Sequence, residues 1–442
     1  MDWILSVLVR AIAAFARLKV GCCGAWKPRE RLRLLLVGYN GARNTGSDVR
    51  VAALARQIKE VFGADNVEIT VMALDRAALA GYFDNDVILR EFSSIFLWDL
   101  YRACCESHAA ILCEGSTLKS TFANGLTLFM CEAAGIMAAQ GKPCVAYGSE
   151  VGDMAPYVRR TARRLCRNTC FITRTEDALA ALKALGLEGR AGTDTAWTYD
   201  GAIGADEARS LLTRQGWDGR KPLLGVAVIN PFCWPVRASL GKWVRAGVTG
   251  RREGQYDKWY FFSDSPRRRA AYARYIDGVA QGVGGFLREH DCFPVVIGME
   301  RLDERACADL AARLDRPCAM FLSGSTPANV MAGILHCLDA LVTSRYHAAV
   351  LGMQAGVPFA AVSMDERLDG IAKELGIEGS CLCHVTAAEL ANRIHTALSG
   401  IVRDRAAMVE AIRRQVGVYR ERLRGMGAFL KGYMDKALER EN

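Results

Sequence analysis

The chain has few of the residue patterns that bind metals or form disulfide frameworks. Its 442 residues include only six histidines, and its sixteen cysteines form no Cys-x-x-Cys motif. The most closely spaced cysteines are Cys22 and Cys23, Cys104 and Cys105, Cys166 and Cys170, and Cys381 and Cys383. Cysteines within apolar segments, such as Cys113 and Cys144, behave as small hydrophobic side chains. We therefore expect no metal site and a reducing, cytoplasmic environment.

The chain also lacks basic runs interleaved with aromatic residues, so we expect no nucleic-acid partner. Its 57 Lys and Arg residues exceed its 48 Asp and Glu residues by 57 − 48 = 9. The excess is uneven, because residues 1–33 hold seven basic side chains and only Asp2 and Glu30 as acidic ones. A sugar phosphate, a carboxylate or an anionic lipid fits this charge better than a nucleic acid.

No apolar segment is long enough to indicate a membrane-spanning helix. Residues 3–20, WILSVLVRAIAAFARLKV, are strongly apolar, but they are short for a bilayer crossing and contain Arg10 and Arg17. A signal peptide would carry its positive charge before the apolar run. Two alternatives stay open for this segment. One is a helix lying in the plane of the inner face of the cytoplasmic membrane, and the other is an additional helix packed on the protein.

Apolar strands alternate with helical segments along most of the chain, which indicates parallel βαβ units. LRLLLVG is typical of a buried strand and DVRVAALARQIKEVFG of a helix, and the same alternation returns after a polar, glycine-rich stretch. We predict an α/β fold of two doubly wound, parallel-sheet, Rossmann-like domains that face a cleft, a GT-B-like plan. The plan leaves open a return of the C-terminal helix to the first domain.

The predicted boundaries follow these changes in pattern. They are an N-terminal apolar and basic helix with its flank (1–31), an N-terminal α/β domain (32–205), a linker (206–222), a C-terminal α/β domain (223–404) and an amphipathic C-terminal helix (405–442). Residues 231–262 are irregular and rich in Trp, Pro, Gly and Arg. A loop of this length within a compact domain is usually functional or mobile.

A glycine-rich turn links the first predicted strand to the first predicted helix of the N-terminal domain. Gly38, Gly41, Asn44 and Gly46 have the spacing G-x-x-G-x-x-N-x-G, which is neither a dinucleotide fingerprint nor a P-loop. Glycines at a helix N-terminus let backbone N–H groups approach an anion. An anion-binding role and a purely structural role of the turn are equally consistent with this pattern. Asp48 falls in the first helical turn, where a carboxylate suits the helix dipole.

Other polar residues follow predicted strands at positions where open α/β sheets bind ligands. Gly115 and Ser116 end one such strand, Glu150 follows the next, and Arg174 closes the strand CFIT. Arg174 is either a solvated side chain at the strand end or an anion clamp that points into the cleft.

The most informative segment is TSRYHAAVLGMQAGVP, residues 343–358. Arg345, Tyr346 and His347 stand at the junction between a strand and the following helix. An arginine fork binds carboxylate or phosphate groups in a bidentate manner, and an imidazole beside it can donate a proton near neutral pH.

The segment SRYHAAVLGMQAGVPFAAVSMDERLDGIAKELGI resembles the C-terminal signature of the polysaccharide pyruvyl transferases. VGYNGARNTGSDV is similar to their N-terminal glycine motif. CEGSTL, GKPCVAYGSEVGDM and FITRTEDALAALKALGL…TDTA resemble the intervening motifs and follow in the same order. The resemblance extends from about Leu34 to Gly379. Arg367 stands where the late aspartate-containing loop of the family usually has Lys.

The resemblance implies transfer of the enolpyruvyl unit of phosphoenolpyruvate to a sugar of a polysaccharide or lipid-linked glycan precursor, which forms a pyruvate ketal without another cofactor. It suggests His347 as the acid that protonates the donor, and Asp48 or Glu150 as the base for the acceptor hydroxyl. The substrate-binding residues would be Arg345, Tyr346, Arg174, Gly38, Gly41, Asn44, Gly46, Gly115, Ser116 and Arg367. A nucleotide-sugar glycosyltransferase of the same fold and a non-catalytic binding protein are the alternatives.

Overall fold

The computed structural model describes residues 1–249, 255–257 and 260–439. In the first half of the chain the helices are α1 (Asp2–Phe15), α2 (Thr45–Phe62), α3 (Phe96–Glu106), α4 (Asn124–Gln140), α5 (Pro156–Leu165), α6 (Glu176–Ala184) and α7 (Ala205–Arg214). The strands are β1 (Leu32–Val37), β2 (Val67–Ala73), β3 (Ile88–Glu91), β4 (Ala109–Leu112), β5 (Cys144–Ser149), β6 (Cys170–Thr173) and β7 (Gly189–Ala191).

The second half adds the helices α8 (Leu240–Thr249), α9 (Pro266–Glu289), α10 (Glu304–Ala311), α11 (Ala328–His336), α12 (Tyr346–Gln354), α13 (Glu366–Leu375), α14 (Glu378–Cys381), α15 (Leu390–Arg403) and α16 (Arg405–Glu439). Its strands are β8 (Leu223–Ala227), β9 (Arg237–Ala238), β10 (Gln255–Asp257), β11 (Tyr260–Phe261), β12 (Phe293–Gly298), β13 (Ala319–Leu322), β14 (Ala340–Thr343), β15 (Phe359–Ser363) and β16 (Leu382–His384).

Two parallel sheets form the cores of two α/β domains, as the alternating pattern predicts. In the described residues the N-terminal sheet has the order β3-β2-β1-β4-β5-β6-β7, and the C-terminal sheet has the order β13-β12-β8-β14-β15-β16. The central strands are apolar throughout because helices cover both faces of a parallel sheet. In each sheet the strand order reverses beside the first strand of the domain, and this reversal opens a crevice at the carboxyl ends of the strands. The predicted fold class is therefore confirmed.

The long helix α16 joins the two domains. Its first half buries Ile412, Val416 and Tyr419 in the core of the C-terminal domain. Its second half buries Leu423 and Leu430, together with neighbouring methionines, in the core of the N-terminal domain. The C-terminal helix thus returns to the first domain.

Two predicted connections contain regular structure. Most of α7 lies within residues 206–222, which the sequence indicates as a linker, and its Ala208 and Leu212 pack in the C-terminal core. In the irregular segment 231–262, strands β9, β10 and β11 form a small antiparallel sheet. Residues 250–254 and 258–259 of this segment lie outside the described residues.

Helix α1 packs on the N-terminal domain. The Ser6 and Thr161 hydroxyl oxygens lie 3.0 Å apart, and Val9 and Ala13 are buried against neighbouring helices. Asp2 accepts hydrogen bonds from the amide of Asn124 and the hydroxyl of Tyr260. One face of α1 is therefore packed on the protein, as the second of the two alternatives for this segment predicts. No described helix is long and apolar enough to cross a membrane.

Candidate functional site

The strand ends of both domains meet at a cleft with a cavity of about 90 Å³. Nine of the residues that the sequence suggests as site residues line it, namely Asn44, Gly46, Gly115, Ser116, Arg174, Arg345, Tyr346, His347 and Arg367. The remaining four, Gly38, Gly41, Asp48 and Glu150, lie behind or beside its wall. Residues that are separated by about 300 positions in sequence thus share one small site.

Arg345 lies in the turn between β14 and α12, and its own neighbours hold this turn. Its backbone N–H donates to the hydroxyl of Thr343 at 2.9 Å. The guanidinium donates from Nε to Asp303 and from Nη2 to Glu300, both at 2.7 Å. Burial raises the pKa of Asp303 to about 7, against the opposing effect of Arg345. Two carboxylates therefore fix the plane of the arginine fork before any ligand binds.

His347 lies in the first turn of α12 with only 16 % of its side chain exposed. Its Nε2 atom is 3.6 Å from an oxygen of Asp194, and Nε2 has no hydrogen-bond partner among the described residues. On its other side, a Cβ atom at position 46 would overlap Nδ1, so only glycine allows this approach of α2. Burial, with smaller effects of Arg50 and Arg174, lowers the pKa of His347 to about 4. The imidazole of His347 is therefore neutral at pH 7.

A buried network of charges lies beneath His347. Asp194 accepts from Arg50 Nε at 3.1 Å and from Arg174 Nη1 at 2.8 Å, and Arg174 Nε donates to Glu150 at 2.9 Å. Burial raises the pKa of Asp194, but the Arg50 guanidinium, His347 and Arg174 together hold it well below its usual range. Nη2 of Arg174 is buried without a hydrogen-bond partner among the described residues. Because Arg174 also lines the cleft, this donor is suited to an anion there.

The glycine-rich turn places the N-terminus of α2 at the cleft. Asn44 caps the helix, since its side-chain oxygen accepts from the N–H of Ser47 at 3.2 Å. Asp48 points back into the turn and accepts from the N–H of Gly41 at 3.2 Å. Burial raises the pKa of Asp48 to about 7. Gly38 lines a neighbouring apolar cavity instead of the cleft.

Backbone hydrogen bonds join this turn directly to the C-terminal domain. The N–H of Thr45 donates to the carbonyl of Met299 at 2.9 Å, and the N–H of Arg301 donates to the carbonyl of Arg43 at 3.1 Å. The hydroxyl of Ser323 also donates to the carbonyl of Arg43 at 2.8 Å. The two domains therefore meet at the wall of the cleft.

The segment 231–262 supplies an aromatic wall. Trp234 and Tyr256 line the cleft, and the Tyr256 ring stacks on that of Tyr39 from the glycine-rich turn at 6.2 Å. Arg367 completes this side. Its guanidinium lies 5.2 Å from the ring centre of Phe122, and its Nε donates to Asp365 at 2.8 Å.

Sequence reasoning missed several residues of this site, notably Arg50, Asp194 and Glu300, and it noted Glu114 only as part of a strand end. Arg50 has the sequence pattern of an ordinary helix residue, because its partner lies 144 positions away. Asp194 follows β7, and its position after a strand was the available signal. Glu114 accepts from the N–H groups of Tyr39 and Ser116 at 3.1 and 3.2 Å, so it holds two cleft loops together.

The cleft brings together several groups of the kind that contact anions in proteins. Arg50, Arg174, Arg345 and Arg367 line it together with the N-terminus of α2, whereas Glu114 and Glu300 are its acidic lining residues in the part of the chain that the structure describes. It also presents a neutral imidazole and two carboxylates, which are the groups that acid–base chemistry requires.

The sequence model of the polysaccharide pyruvyl transferase family matches residues 44–366, which is more than half of the chain and includes both walls of the cleft. The chain belongs to this family. The match begins at the cap of α2 and ends beside Arg367, so the family region contains the charged network and the Arg-x-His junction. No curated protein sequence matches the chain.

Solved structures of GT-B-type enzymes share the fold. The UDP-GlcNAc 2-epimerase from Neisseria meningitidis, bound to UDP-GlcNAc, is 9% identical, with a TM-score of 0.52 over 90% of this chain and 99% of that one. HepE from Anabaena, in complex with UDP-glucose, is 11% identical, with a TM-score of 0.54 over 92% and 100%. MnaA from S. aureus, with UDP, is 11% identical, with a TM-score of 0.53 over 86% and 90%. At these identities the likeness concerns the fold alone.

Proposed function

We propose that the protein transfers the pyruvyl unit of phosphoenolpyruvate to two hydroxyl groups of a sugar acceptor and forms a pyruvate ketal. The observation that carries the proposal is the convergence of four arginines, the N-terminus of α2 and His347 in one cleft. A donor that carries both a carboxylate and a phosphate needs several fixed positive groups at a short distance. Membership of the family makes the sugar acceptor the natural second substrate.

The two ends of the donor have different candidate partners. The positive end of the α2 helix dipole and the unpartnered Nη2 of Arg174 are suited to the phosphate. Nε and Nη2 of Arg345 donate to Asp303 and Glu300, so we assign Nη1 as the atom that donates to an oxygen of phosphoenolpyruvate. Because these groups are already fixed, little side-chain ordering is needed when the donor binds.

The reaction needs one proton at C3 of the donor and a base for the acceptor. As C3 takes up a proton, C2 forms bonds to two sugar oxygens, the C2–O bond to phosphate breaks, and phosphate leaves with the second hydroxyl proton. We assign the C3 proton to His347. Burial lowers its pKa, and an anionic donor beside it would raise that pKa again, because a nearby negative charge favours the imidazolium.

The base remains one of a small set of carboxylates. Asp48 and Glu150 stay candidates, with Asp48 titrating near pH 7 because of burial. Glu114 and Glu300 join them because they line the cleft. Single-turnover assays of four variants identify the base, namely Glu114→Gln, Glu300→Gln, Asp48→Asn and Glu150→Gln. The base is the position whose substitution lowers turnover most, after correction for the folded fraction.

The test of the donor is thermal-shift titration with phosphoenolpyruvate, UDP-glucose and GDP-mannose, with inorganic phosphate and pyruvate as controls. We expect phosphoenolpyruvate to raise the melting temperature progressively with its concentration, since a ligand at 100 times its Kd stabilises the folded state by about 2.7 kcal/mol. Arg174→Gln should abolish this shift, whereas Arg313→Gln, on the protein surface, should not. A shift with the nucleotide sugars and none with phosphoenolpyruvate would instead favour the glycosyltransferase alternative.

We also propose that the protein works at a membrane surface. The support comes from the N-terminal helix, whose outer face is apolar and is flanked by basic side chains.

A further inference from the structure

Helix α1 has an exposed side without any polar side chain. This side consists of Trp3, Ile4, Val7, Leu8, Ala11, Ala14 and Phe15, and Leu18 in the short 3-10 turn after α1 extends it; together they are called the α1 outer face. Trp3 is 63% exposed, Ile4 is 54% exposed and Leu18 is 68% exposed. The opposite side carries Asp2, Ser6, Val9 and Ala13 and packs on the domain. A helix on a globular protein normally presents polar side chains to water, so the apolar outer face of α1 is unusual.

The apolar surface continues beyond α1. Trp98, at the start of α3, lies 6.2 Å from the ring of Phe15 and is 44% exposed, and Ile95 before it is 69% exposed. Large aliphatic and aromatic side chains of two elements therefore form one surface. Contiguous exposed apolar patches of this kind mark interaction sites, because leaving them in water is unfavourable.

A basic cavity lies along one edge of the α1 outer face. It has a volume of about 390 Å³, and Arg10, Arg17, Arg164 and Arg167 line it together with Asn168. None of the four arginines forms an ion pair with another described residue. Residues 154–173 contain five arginines and no Asp or Glu, so this side of α5 stays basic. Unpaired guanidinium groups around a cavity of this size suit a phosphate group.

We infer that this surface docks on a bilayer that contains anionic phospholipid, with the α1 outer face in the interface and a lipid phosphate in the arginine cavity. An in-plane apolar helix face and adjacent basic groups are the two features that such binding combines. A second copy of the chain fits less well, because a symmetric contact would bring two sets of the same unpaired arginines together. The inference depends on α1 and α5, and it does not rest on the proposed transfer reaction.

The test is co-sedimentation of the full-length protein with vesicles of phosphatidylcholine alone and of phosphatidylcholine with 30 mol% phosphatidylglycerol. We expect binding to the anionic vesicles and at least tenfold weaker binding to the neutral ones. Ile4→Gln/Leu8→Gln should weaken anionic binding at least tenfold, because glutamine keeps the helix and removes apolar area. The matched control Val402→Gln/Val418→Gln changes exposed valines elsewhere and should bind as the wild type does.

The basic cavity has its own pair of variants. Arg17→Gln/Arg167→Gln should weaken binding to anionic vesicles by about fivefold per residue and leave the weak binding to neutral vesicles unchanged. Arg220→Gln/Arg274→Gln, which removes two exposed arginines elsewhere, is the charge-matched control and should have no such effect. Circular dichroism melting of every variant checks that folding is retained.

Three results would overturn the inference. The first is an absence of sedimentation with anionic vesicles. The second is equal loss of binding in the α1 and control variants. The third is a dimer in analytical ultracentrifugation that Ile4→Gln/Leu8→Gln dissociates while vesicles bind no protein, which would assign the face to a second copy. If inorganic phosphate binds at the arginine cavity while vesicles bind no protein, the first of these results applies, and the cavity is a phosphate site without a membrane surface.

Discussion

The molecule has two sets of arginines, and they differ in what holds them. In the cleft, Arg50, Arg174, Arg345 and Arg367 each contact at least one carboxylate of their own domain at 3.1 Å or less. Beside α1, the arginines of the basic cavity have no carboxylate partner among the described residues. One set is buried and compensated, and the other set is solvated and unpaired.

The difference follows from burial. A buried guanidinium without a counter-charge would be costly, so the cleft must contain carboxylates that also fix the arginines in place. An exposed arginine is already stabilised by water, and it stays free to meet a phosphate on another molecule. The cleft therefore has the properties of a preorganised site for a small anion. The α1 surface has the properties of a site for a large, deformable anionic surface such as a bilayer.

The largest effect should come from His347, which lies where the cleft network meets its open side. His347→Asn should lower turnover by on the order of 10²–10⁴, the range of general acid–base catalysis, with folding retained and donor binding reduced only by the part that depends on protonation of His347. His395→Asn is the matched control, since His395 also lies beside a carboxylate, 3.1 Å from Glu289, but far from the cleft lining. Single-turnover transfer and thermal unfolding on the same preparations decide the case. A destabilised but fully active His347→Asn would refute the acid role.

Removing a carboxylate that neutralises the buried arginines of the cleft should lower the free energy of unfolding. Asp194→Asn removes the carboxylate shared by Arg50 and Arg174. Removing one partner of a buried ion pair costs about 3–5 kcal/mol, because a buried charge stays uncompensated. Urea unfolding measures the loss. Asp277→Asn breaks the exposed pair with Arg313 and should cost less than about 1 kcal/mol. Equal losses at the two positions would contradict the contrast between buried and exposed charges.

Arg345→Lys tests whether the fork geometry matters beyond its charge. Lysine keeps the positive charge but cannot contact Glu300, Asp303 and a donor oxygen in one plane. Donor affinity should fall by roughly 2 kcal/mol or more, as expected for a charge-assisted contact. Isothermal titration with phosphoenolpyruvate measures it, and Arg313→Lys is the surface control. If Arg345→Lys binds phosphoenolpyruvate with the affinity of the wild type, the assignment of Arg345 to the donor site is wrong.

The smallest effect is a proton linkage at the cleft. Burial lowers the pKa of His347 to about 4, and we expect a bound anion to raise it. Between these two pKa values donor binding takes up a proton, so donor affinity should fall as pH rises above 4, by at most tenfold per pH unit. Titration calorimetry at pH 6 in two buffers of different ionisation enthalpy measures the uptake. His347→Asn should abolish this component and leave only the titration of the donor itself. If donor binding to His347→Asn takes up as many protons as it does in the wild type, the proton binds to a group other than His347.

The local pattern was sufficient to predict a large part of the site. Glycine-rich turns and charged residues at strand ends are visible in the sequence, and parallel strands bring their carboxyl ends to one edge of a sheet. The sequence therefore predicts five site residues that meet in the cleft, namely Gly46, Gly115, Arg174, Arg345 and His347.

The rest depended on pairing over long distances. Nothing near Arg50 marks it as a partner of Asp194, and nothing near Arg345 indicates Glu300 and Asp303, 45 and 42 residues away. Helix α1 is a similar case. Its apolar and polar sides are visible in the sequence, but the pattern cannot say which side meets the protein.

By itself, the sequence determined the two parallel-sheet domains, the Arg-x-His junction and the amphipathic N-terminal helix, because each is encoded by periodicity and neighbours within about one βαβ unit. The tertiary structure decided which charges compensate one another and which side of α1 faces water. The physical reason is that desolvation and Coulomb interaction depend on distance in space, and the chain sets that distance only when its two domains and α16 have packed together.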